Sequence, residues 1–355
     1  MSGRSILDVA FVVPQSGPSG IFGPSCEASA RLAASEINEA GGVLGREMRL
    51  LPVDGGEPPA RVAARVGAMA DAGEIEAVVG WHTSAVRERV APRLAGRLPY
   101  VYTAVYEGGE QTPGVFLTGE TPATQLLPAM RWMAGERSVR RWFVVGSDYI
   151  WPRTSAGWAR RFAGEVGAEI VDEAFVGLGT EEFGPVLRRI ERARPQGILL
   201  LLLGSDAVQF NRAFTEMRLH ELMVRLSPLM DENMLLATGP ANTHELYSVA
   251  GFFESLGTAH SMDFGSRYRR RLGPNAPVTT SPGESCFEGV TLLSRLAAAA
   301  RDTGVGAVDA ISEGLAYEGP RGRVHLHDRH LQQRIYLAQA DGLDFDVLSE
   351  VGTDS

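Results

Sequence analysis

The stretch ILLLLLGSD, residues 198–206, joins an uninterrupted apolar run to an abrupt polar end. Six apolar residues are too few to span a bilayer, and a run without alternation is typical of a strand that is buried on both faces of a parallel sheet. Glycine ends the strand, and Ser205 and Asp206 precede a segment with helical periodicity. The stretch therefore predicts one strand-turn-helix unit of an α/β fold.

Two other strand ends repeat this pattern, namely VVGWHTS at residues 78–84 and VVGSDY at residues 144–149. In an open parallel sheet, ligands bind beyond the carboxyl ends of the strands, where helix N-termini supply free N–H donors. We therefore predict that the three turns bind a ligand. The candidate ligand-binding residues on these turns are His82, Thr83, Ser84, Tyr149, Gly204 and Ser205.

The alternation of short apolar runs with helical segments continues along the chain. It runs to about residue 102 and restarts after the segment TPAT at residues 121–124. Near the C-terminus, residues 323–326 and 333–339 are typical of an antiparallel addition. We predict two Rossmann-like lobes, each with a parallel sheet.

Length and charge narrow the function classes. The 355 residues suit two domains better than one, and a formal charge of −9 disfavours direct nucleic-acid binding, which needs a concentrated basic face. The cluster RYRRR at residues 267–271 has the composition of such a face, but it also fits the solvated end of an amphipathic helix. We prefer the solvated helix.

The cysteines and the N-terminal sequence give information about the cellular compartment of the protein. Cys26 and Cys286 are the two cysteines, and their separation fits neither a disulfide framework nor metal-ligand spacing. The start MSGRSILDVAFVVPQSG predicts a strand and not a secretory signal, and no apolar run is long enough for a membrane span. These features favour a cytoplasmic protein, although a periplasmic protein or an extracellular lipoprotein whose leader had been removed would have the same sequence.

Each polar residue at a strand end has a structural alternative. Ser84, Asp148 and Asp206 stand where a helix cap would stand, although Thr83 is a second possible cap beside Ser84. The aromatics Tyr149 and Trp151 either pack between lobes or form an apolar wall with a phenolic donor for a small polar ligand.

Enzyme and metal motifs are weak in this sequence. It contains no dinucleotide-binding glycine motif, no phosphate-binding loop and no Gly-x-Ser-x-Gly elbow. Ser84 and His82 are two residues apart on a turn and lack an orienting acid, while His325 and His327 fit a solvated hairpin better than a metal site. We predict no catalytic residue, no metal and no cofactor.

Four segments carry a family resemblance: GWHTSAVRERVAP from Gly80, YTAVYEGGEQTP from Tyr102, GSDYIWPRTS from Gly146, and GPRGRVHLHDRH from Gly319. The chain resembles the type I periplasmic binding proteins of the branched-chain amino acid, amide and urea group. Within that group it is most similar to the cytoplasmic amide sensors that negatively regulate aliphatic amidase operons. The resemblance implies two lobes joined by three crossovers, with a ligand in the cleft between them. Lobe 1 is expected at 1–120 plus 252–325, and lobe 2 at 121–251 plus 326–355.

The resemblance also implies roles for single residues. Ser84 matches the serine that binds the amide head of the ligand, Tyr102 and Tyr149 match pocket tyrosines, and Trp151 matches a further aromatic. Glu232 falls in the next ligand-facing loop. The positions that depart from the amide sensors, and that we also predict to line the pocket, are His82, Ala104, Val105, Leu229 and Met230. Because several of these are apolar, we expect a ligand that is larger or more apolar than acetamide.

Two functions follow from the resemblance. The first is a cytoplasmic sensor of short-chain amides that regulates gene expression by binding an RNA-binding antiterminator protein. The alternative is an exported substrate-binding protein that delivers amides, urea or branched-chain amino acids to an ABC permease. Either protein would be non-enzymatic, and a homodimer is possible.

Overall fold

The computed structural model describes residues 5–352, and the chain divides into two compact units. Unit 1 comprises the chain up to Ala104 together with Gly109–Gly119 and Gly257–Gln333. Unit 2 comprises Val105–Gly108, Glu120–Leu256 and the chain from Arg334 onward. The outermost residues of the predicted lobes, 1–4 and 353–355, lie outside the described residues.

Unit 1 is built mainly from the first third of the chain and from a C-terminal segment. Its elements are β1 (Ile6–Val13), α1 (Gly23–Glu39), β2 (Glu47–Asp54), α2 (Pro59–Asp71), β3 (Ala77–Gly80), α3 (Ser84–Leu94), β4 (Tyr100–Tyr102), β5 (Val115–Leu117), α9 (Ala259–Leu272), α10 (Ser281–Ala300), α11 (Val305–Ser312), β11 (Ala316–Gly319), β12 (Gly322–His327) and β13 (His330–Gln332). Within the described residues the strand order of its sheet is β11-β12-β13-β5-β4-β3-β1-β2.

Unit 2 repeats the arrangement with the middle of the chain. Its elements are α4 (Pro122–Glu136), β6 (Arg141–Ser147), α5 (Ile150–Glu165), β7 (Glu169–Val176), α6 (Gly184–Ala193), β8 (Gly197–Leu201), α7 (Ser205–Glu216), β9 (Val224–Ser227), α8 (Glu232–Thr238), β10 (Leu246–Ala250), β14 (Tyr336–Asp341) and β15 (Asp344–Glu350). The strand order, again within residues 5–352, is β15-β14-β10-β9-β8-β6-β7.

The predicted fold class, two α/β lobes with mostly parallel sheets, is confirmed. In unit 1, β1 pairs in parallel with both β2 and β3, and in unit 2, β6 pairs in parallel with both β7 and β8. Every residue of β8 is buried, as expected for a strand that is covered by helices on both faces. Residues 198–201 of the apolar run therefore lie on an interior strand of the sheet, and Leu202 and Leu203 follow the strand as buried residues.

The antiparallel additions near the C-terminus are also confirmed. Strands β12 and β13 form a hairpin whose turn residues Asp328 and Arg329 both have positive φ angles, 47° and 63°, which is the geometry of a tight type I′ turn. Along β12 the side chains alternate between buried and exposed, so that His325 and His327 share the exposed face. The two histidines belong to a solvated hairpin, as predicted.

The last boundary between unit 1 and unit 2 lies later in the chain than the sequence predicts. The chain leaves unit 1 for the final time after Gln333, whereas the predicted boundary is at residue 325. The cause is β13, which pairs with β12 and at His330 also with β5 of the same sheet. The strands β5 and β13 are three residues long, and such short segments carry too little periodicity to be predicted.

Candidate ligand-binding loops

In unit 1 the candidate loops lie at the carboxyl ends of β1 and β3. Strand β1 lies between β2 and β3, so the chain leaves β1 toward one side for β2 and then crosses to the other side for β3. Open α/β sheets bind ligands at the carboxyl ends of the strands where the order reverses in this way. At the end of β2, the carboxylate of Asp54 accepts hydrogen bonds from Gln15 N at 2.8 Å, Ser16 Oγ at 2.7 Å and Gly56 N at 2.8 Å. These bonds hold the loop after β1 in one conformation. Although burial opposes the effect, they also lower the pKa of Asp54.

The turn between β3 and α3 presents backbone donors. Thr83 is the N-cap residue with an extended backbone, but its hydroxyl makes no capping hydrogen bond. Its carbonyl accepts from Val86 N at 2.9 Å and from Arg87 N at 3.1 Å, whereas within residues 5–352 the N–H groups of Ser84 and Ala85 have no acceptor. Such unpaired donors at a helix N-terminus bind carboxylate or carbonyl oxygens.

His82 and Tyr102 shape this turn from inside. The Tyr102 hydroxyl donates to the His82 carbonyl at 2.7 Å, and the Tyr100 hydroxyl lies 2.8 Å from His82 Nε2. Because His82 Nδ1 lies 3.2 Å from the Thr83 carbonyl, Nδ1 carries the proton and Nε2 accepts from Tyr100. Burial lowers the pKa of His82 to about 3, so the ring is neutral near pH 7. His82 and Tyr102 are buried and their polar atoms serve the turn.

Ser84 lies beside an ion pair that sequence reasoning missed. Arg87 Nη1 is 3.5 Å from Ser84 Oγ, and Arg87 Nε donates to Glu110 Oε2 at 2.9 Å. Both charged side chains are largely buried, with 5% and 10% of their surface exposed. The Arg87 guanidinium also lies 5.4 Å from the centre of the Tyr102 ring. A signal was present, because Arg87 follows Ser84 by three residues and therefore lies on the same face of α3.

The chain passes from unit 1 to unit 2 between two of the predicted pocket residues. Ala104 is the last residue of its segment of unit 1 and is buried, and Val105 opens the short segment of unit 2 that ends at Gly108. Val105 is half-buried. Their role in ligand binding stays a prediction.

In unit 2 the corresponding loops follow β6 and β8. The Ser147 hydroxyl accepts from Leu203 N at 3.1 Å and so joins the ends of the two strands. Gly204 adopts φ 48° and ψ −116° as the N-cap of α7, a conformation that favours glycine, and it leaves Ser205 exposed on the first turn. The structure thus holds two of the predicted strand ends side by side within this unit.

Tyr149 and Trp151 lie at the start of α5. This helix begins at Ile150, and Pro152 is compatible with its first turn, where the missing N–H would have no partner. Trp151 is therefore helical and buried, with 3% of its surface exposed, whereas Tyr149 is the half-buried N-cap residue. Their ring centroids are 6.3 Å apart.

The prediction that Asp148 and Asp206 cap helices is wrong. Asp148 forms an ion pair with Arg153 at 2.6 Å, and that contact lowers the pKa of Asp148. Asp206 is the second residue of α7 and accepts from Gly179 N, with both oxygens within 3.2 Å. Burial raises the pKa of Asp206 to about 6. Both helices begin without a side-chain cap, at Tyr149 and Gly204.

The loop between β9 and α8 holds the remaining predicted residues. Leu229, Met230 and Glu232 are all buried, with 5%, 2% and 3% of their surface exposed. The Met230 carbonyl accepts from Ser248 Oγ at 2.6 Å, and Glu232 Oε1 accepts from Glu254 N at 2.8 Å. Burial raises the pKa of Glu232 well above its usual range, and the neighbouring charge of Asp231 acts in the same direction. Whether these side chains contact a ligand stays a prediction.

Residues 5–352 contain neither a candidate membrane span nor a candidate metal site. None of the helices there combines the length and the apolar character needed to cross a membrane. In the same part of the chain, His, Cys, Asp and Glu side chains form no group of three or more that is placed to hold a metal ion. Two α/β units with candidate loops at the carboxyl ends of their strands have the arrangement in which open α/β sheets bind small molecules.

Residues 7–344 match the periplasmic binding protein family, and the chain belongs to that family. The family is a substrate-binding class and is non-enzymatic. A curated relative, the Leu/Ile/Val-binding protein homolog 6 of Brucella melitensis, is 26% identical over 243 residues, which cover 66% of this chain and 61% of the relative. The match thus spans about three-fifths of the relative's length.

Solved structures show the same fold across almost the whole chain. A solute-binding protein of an ABC transporter from Rhodopseudomonas palustris BisB5, in complex with 3,4-dihydroxybenzoic acid, has a TM-score of 0.87 at 18% identity and covers 99% of each chain. A branched-chain amino acid transporter substrate-binding protein from Streptococcus pneumoniae, in complex with isoleucine, has a TM-score of 0.84 at 17% identity and covers 96% of this chain and 99% of its own. These names agree with the alternative function better than with an amide-sensing regulator.

Proposed function

We propose that this protein is the substrate-binding protein of an ABC transporter. It is located outside the cytoplasm, where it delivers a small molecule to the permease. Membership of the periplasmic binding protein family carries the proposal, and the names of the similar structures support it. Cell fractionation of the producing organism tests the location, since recovery in the cytoplasmic fraction would contradict a transport receptor.

We further propose that the start of α3 binds the polar head of the ligand. The unpaired N–H groups of Ser84 and Ala85 and the half-buried hydroxyl of Thr83 supply donors for a carboxylate or an amide carbonyl. The similar structures contain 3,4-dihydroxybenzoic acid and isoleucine, and both of these molecules carry a carboxylate. The ligand class is therefore a small carboxylic acid or carboxamide with an apolar body.

A pair of substitutions at one position tests this head group. Ser84→Ala removes the hydroxyl alone, whereas Ser84→Pro removes both the hydroxyl and the N–H at the first helical position, where proline is tolerated. Thr83 before it is already extended (φ −65°, ψ 152°), as a residue that precedes proline should be. We expect Ser84→Pro to bind about 10- to 100-fold more weakly than Ser84→Ala, the cost of one hydrogen bond to a charged group.

The measurement begins with a thermal-shift screen of 3,4-dihydroxybenzoate, L-isoleucine, urea and aliphatic amides of increasing length. A ligand that binds the folded protein raises the melting temperature, and titration calorimetry then gives its Kd. Thr154→Ala, which alters an exposed threonine on unit 2, is the matched control and should leave Kd unchanged. Equal affinities of Ser84→Ala and Ser84→Pro would refute the head-group assignment.

An amide sensor is the second candidate, and it rests on the segment GSDYIWPRTS at residues 146–155, which resembles the amide and urea branch. On this proposal the partner is an RNA-binding antiterminator, and the preferred ligands are amides. The titrations have to be combined with the cell fractionation, because a transport receptor could also bind amides. Binding of short amides together with no binding of carboxylates would favour the sensor.

A further inference from the structure

The Ser285 side chain lies at a junction of unit 1 that ligand binding does not explain. Ser285 is on the second turn of α10 and is buried, with 2% of its surface exposed. Its hydroxyl donates to the Thr103 carbonyl at 2.7 Å and lies 3.0 Å from Thr118 Oγ1. Because its one hydrogen is used on Thr103, the Thr118 hydroxyl is the donor toward Ser285, where its acceptors are the hydroxyl at 3.0 Å and the backbone carbonyl at 3.3 Å.

Each partner of Ser285 immediately precedes a place where the chain leaves unit 1. Thr103 is followed by Ala104, after which the chain enters unit 2, and Thr118 is followed by Gly119, after which it enters unit 2 again. The Thr118 carbonyl accepts from Gln333 Nε2 at 3.2 Å, and Gln333 is the last residue of unit 1. The Ser285 hydroxyl therefore contacts two exit segments directly, and Thr118 links them to the third.

Helix α10 gives this hydroxyl a fixed position. Glu284, the neighbour of Ser285, forms an ion pair with Arg321, and both side chains are completely buried. The helix also packs tightly on the first exit segment, since a Cβ at Gly289 would lie 2.4 Å from Thr103 Cγ2. Ser285 thus bonds the exit segments from a rigid support.

We infer that Ser285 couples three of the segments through which the chain leaves unit 1, so that a displacement of one segment is transmitted to the other two. This role goes beyond the proposed function, because it assigns a positioning residue remote from the candidate binding residues and requires no ligand. The three segments are covered by peptides 102–106, 117–121 and 332–336.

Hydrogen–deuterium exchange of the full chain tests the coupling. We expect Ser285→Ala to lower the protection of all three peptides together by about 5- to 10-fold, the change that follows from the loss of a buried hydrogen bond. Protection of β1 should stay the same. Ser29→Ala is the matched control, because the Ser29 hydroxyl is buried in the same unit and has no hydrogen-bond partner within residues 5–352.

The outcomes separate coupling from a general structural role. Faster exchange in one segment alone, equal loss of protection throughout unit 1, or no change would each overturn the inference. If Ser285→Ala does not fold, Thr118→Val replaces it. This variant should expose 117–121 and 332–336 while 102–106 stays protected through its bond to Ser285, and a uniform loss of protection would again overturn the inference.

Discussion

Glu288→Gln is the substitution for which the structure gives the clearest energetic expectation. Glu288 lies on α10 and is fully buried, and its Oε2 accepts from the Tyr317 hydroxyl at 3.3 Å. Its Oε1 has no hydrogen-bond partner within residues 5–352. Burial raises the pKa of Glu288 from 4.5 to about 7, although the positive charge of Arg321 opposes the shift. The folded protein therefore holds a proton on Glu288 that the unfolded chain releases above pH 4.5.

The sign and size of the effect follow from this difference in pKa. A carboxyl whose pKa is raised on folding contributes stability below its unfolded pKa and loses that contribution as the pH rises through its folded pKa. The window extends from about pH 4.5 to about pH 7, and 2.5 pKa units correspond to about 3 kcal/mol. Glutamine does not titrate, so the variant should lack this loss. At pH 8 it should be more stable than the wild type by up to about 3 kcal/mol.

His82 acts in the opposite direction over part of the same range. Because burial lowers the pKa of His82 from 6.5 to about 3, its contribution to stability is lost as the pH falls through that interval. The stability of the wild type alone thus mixes two opposed slopes between pH 4.5 and pH 6.5. The difference between Glu288→Gln and the wild type isolates the contribution of Glu288.

Guanidinium unfolding at pH 5, 6, 7 and 8 measures this difference in the free energy of unfolding. If the curve shows more than one transition, the one that the substitution shifts is used. Glu74→Gln, an exposed glutamate of the same unit, is the control and should leave the curves unchanged. A constant difference between Glu288→Gln and the wild type from pH 5 to pH 8 would refute the argument. It would show that Glu288 titrates alike in the folded and unfolded states.

Three further predictions concern the β3–α3 region and use the same unfolding assay without ligand. Tyr102→Phe should cost about 1 to 3 kcal/mol, because it leaves the buried His82 carbonyl without its donor, and an unchanged stability would refute that contribution. Arg87→Met should cost about 3 to 5 kcal/mol, because Glu110 then stays largely buried without its cation; recovery on adding Glu110→Gln checks that cause. Gly80→Ala should cost about 3 kcal/mol or prevent folding, because its Cβ would lie 2.0 Å from the Val12 carbonyl oxygen. Gly135→Ala is the control and should be tolerated, because Gly135 lies on a helix with open space around the added Cβ.

The sheets were predictable because they depend on local pattern. The apolar strand β8 and the glycine-ended turn after β3 are short-range features, and the alternation of such strands with helices dictates parallel pairing. The short strand β13 was not predictable, since its three residues acquire their register from β12 and β5. That pairing moves the last unit boundary eight residues along the chain, from 325 to 333.

The polar chemistry of the candidate site was less accessible to sequence. Residue types marked Ser84, Tyr102 and His82, but they did not show which of their atoms would be used inside the protein. Arg87 and Glu110 are 23 residues apart, and no periodic pattern connects them. Asp148 fits a helix cap by type and position, but Arg153 competes for its carboxylate. The role of each side chain therefore depends on a partner that residue type and position alone do not identify.

The same competition changes which atoms should recognise a ligand. The Tyr102 hydroxyl donates to the His82 carbonyl, and the His82 imidazole is hydrogen-bonded to the Tyr100 hydroxyl. These hydrogen bonds fix the backbone of the turn. The donors that this arrangement leaves unpaired are the N–H groups of Ser84 and Ala85, whose identity does not depend on side-chain type. A change of side chain at His82 would therefore leave the donors of the proposed head-group site in place. For this reason a substitution at His82 or Tyr102 should alter affinity through the shape of the turn, whereas Ser84→Pro should alter it directly.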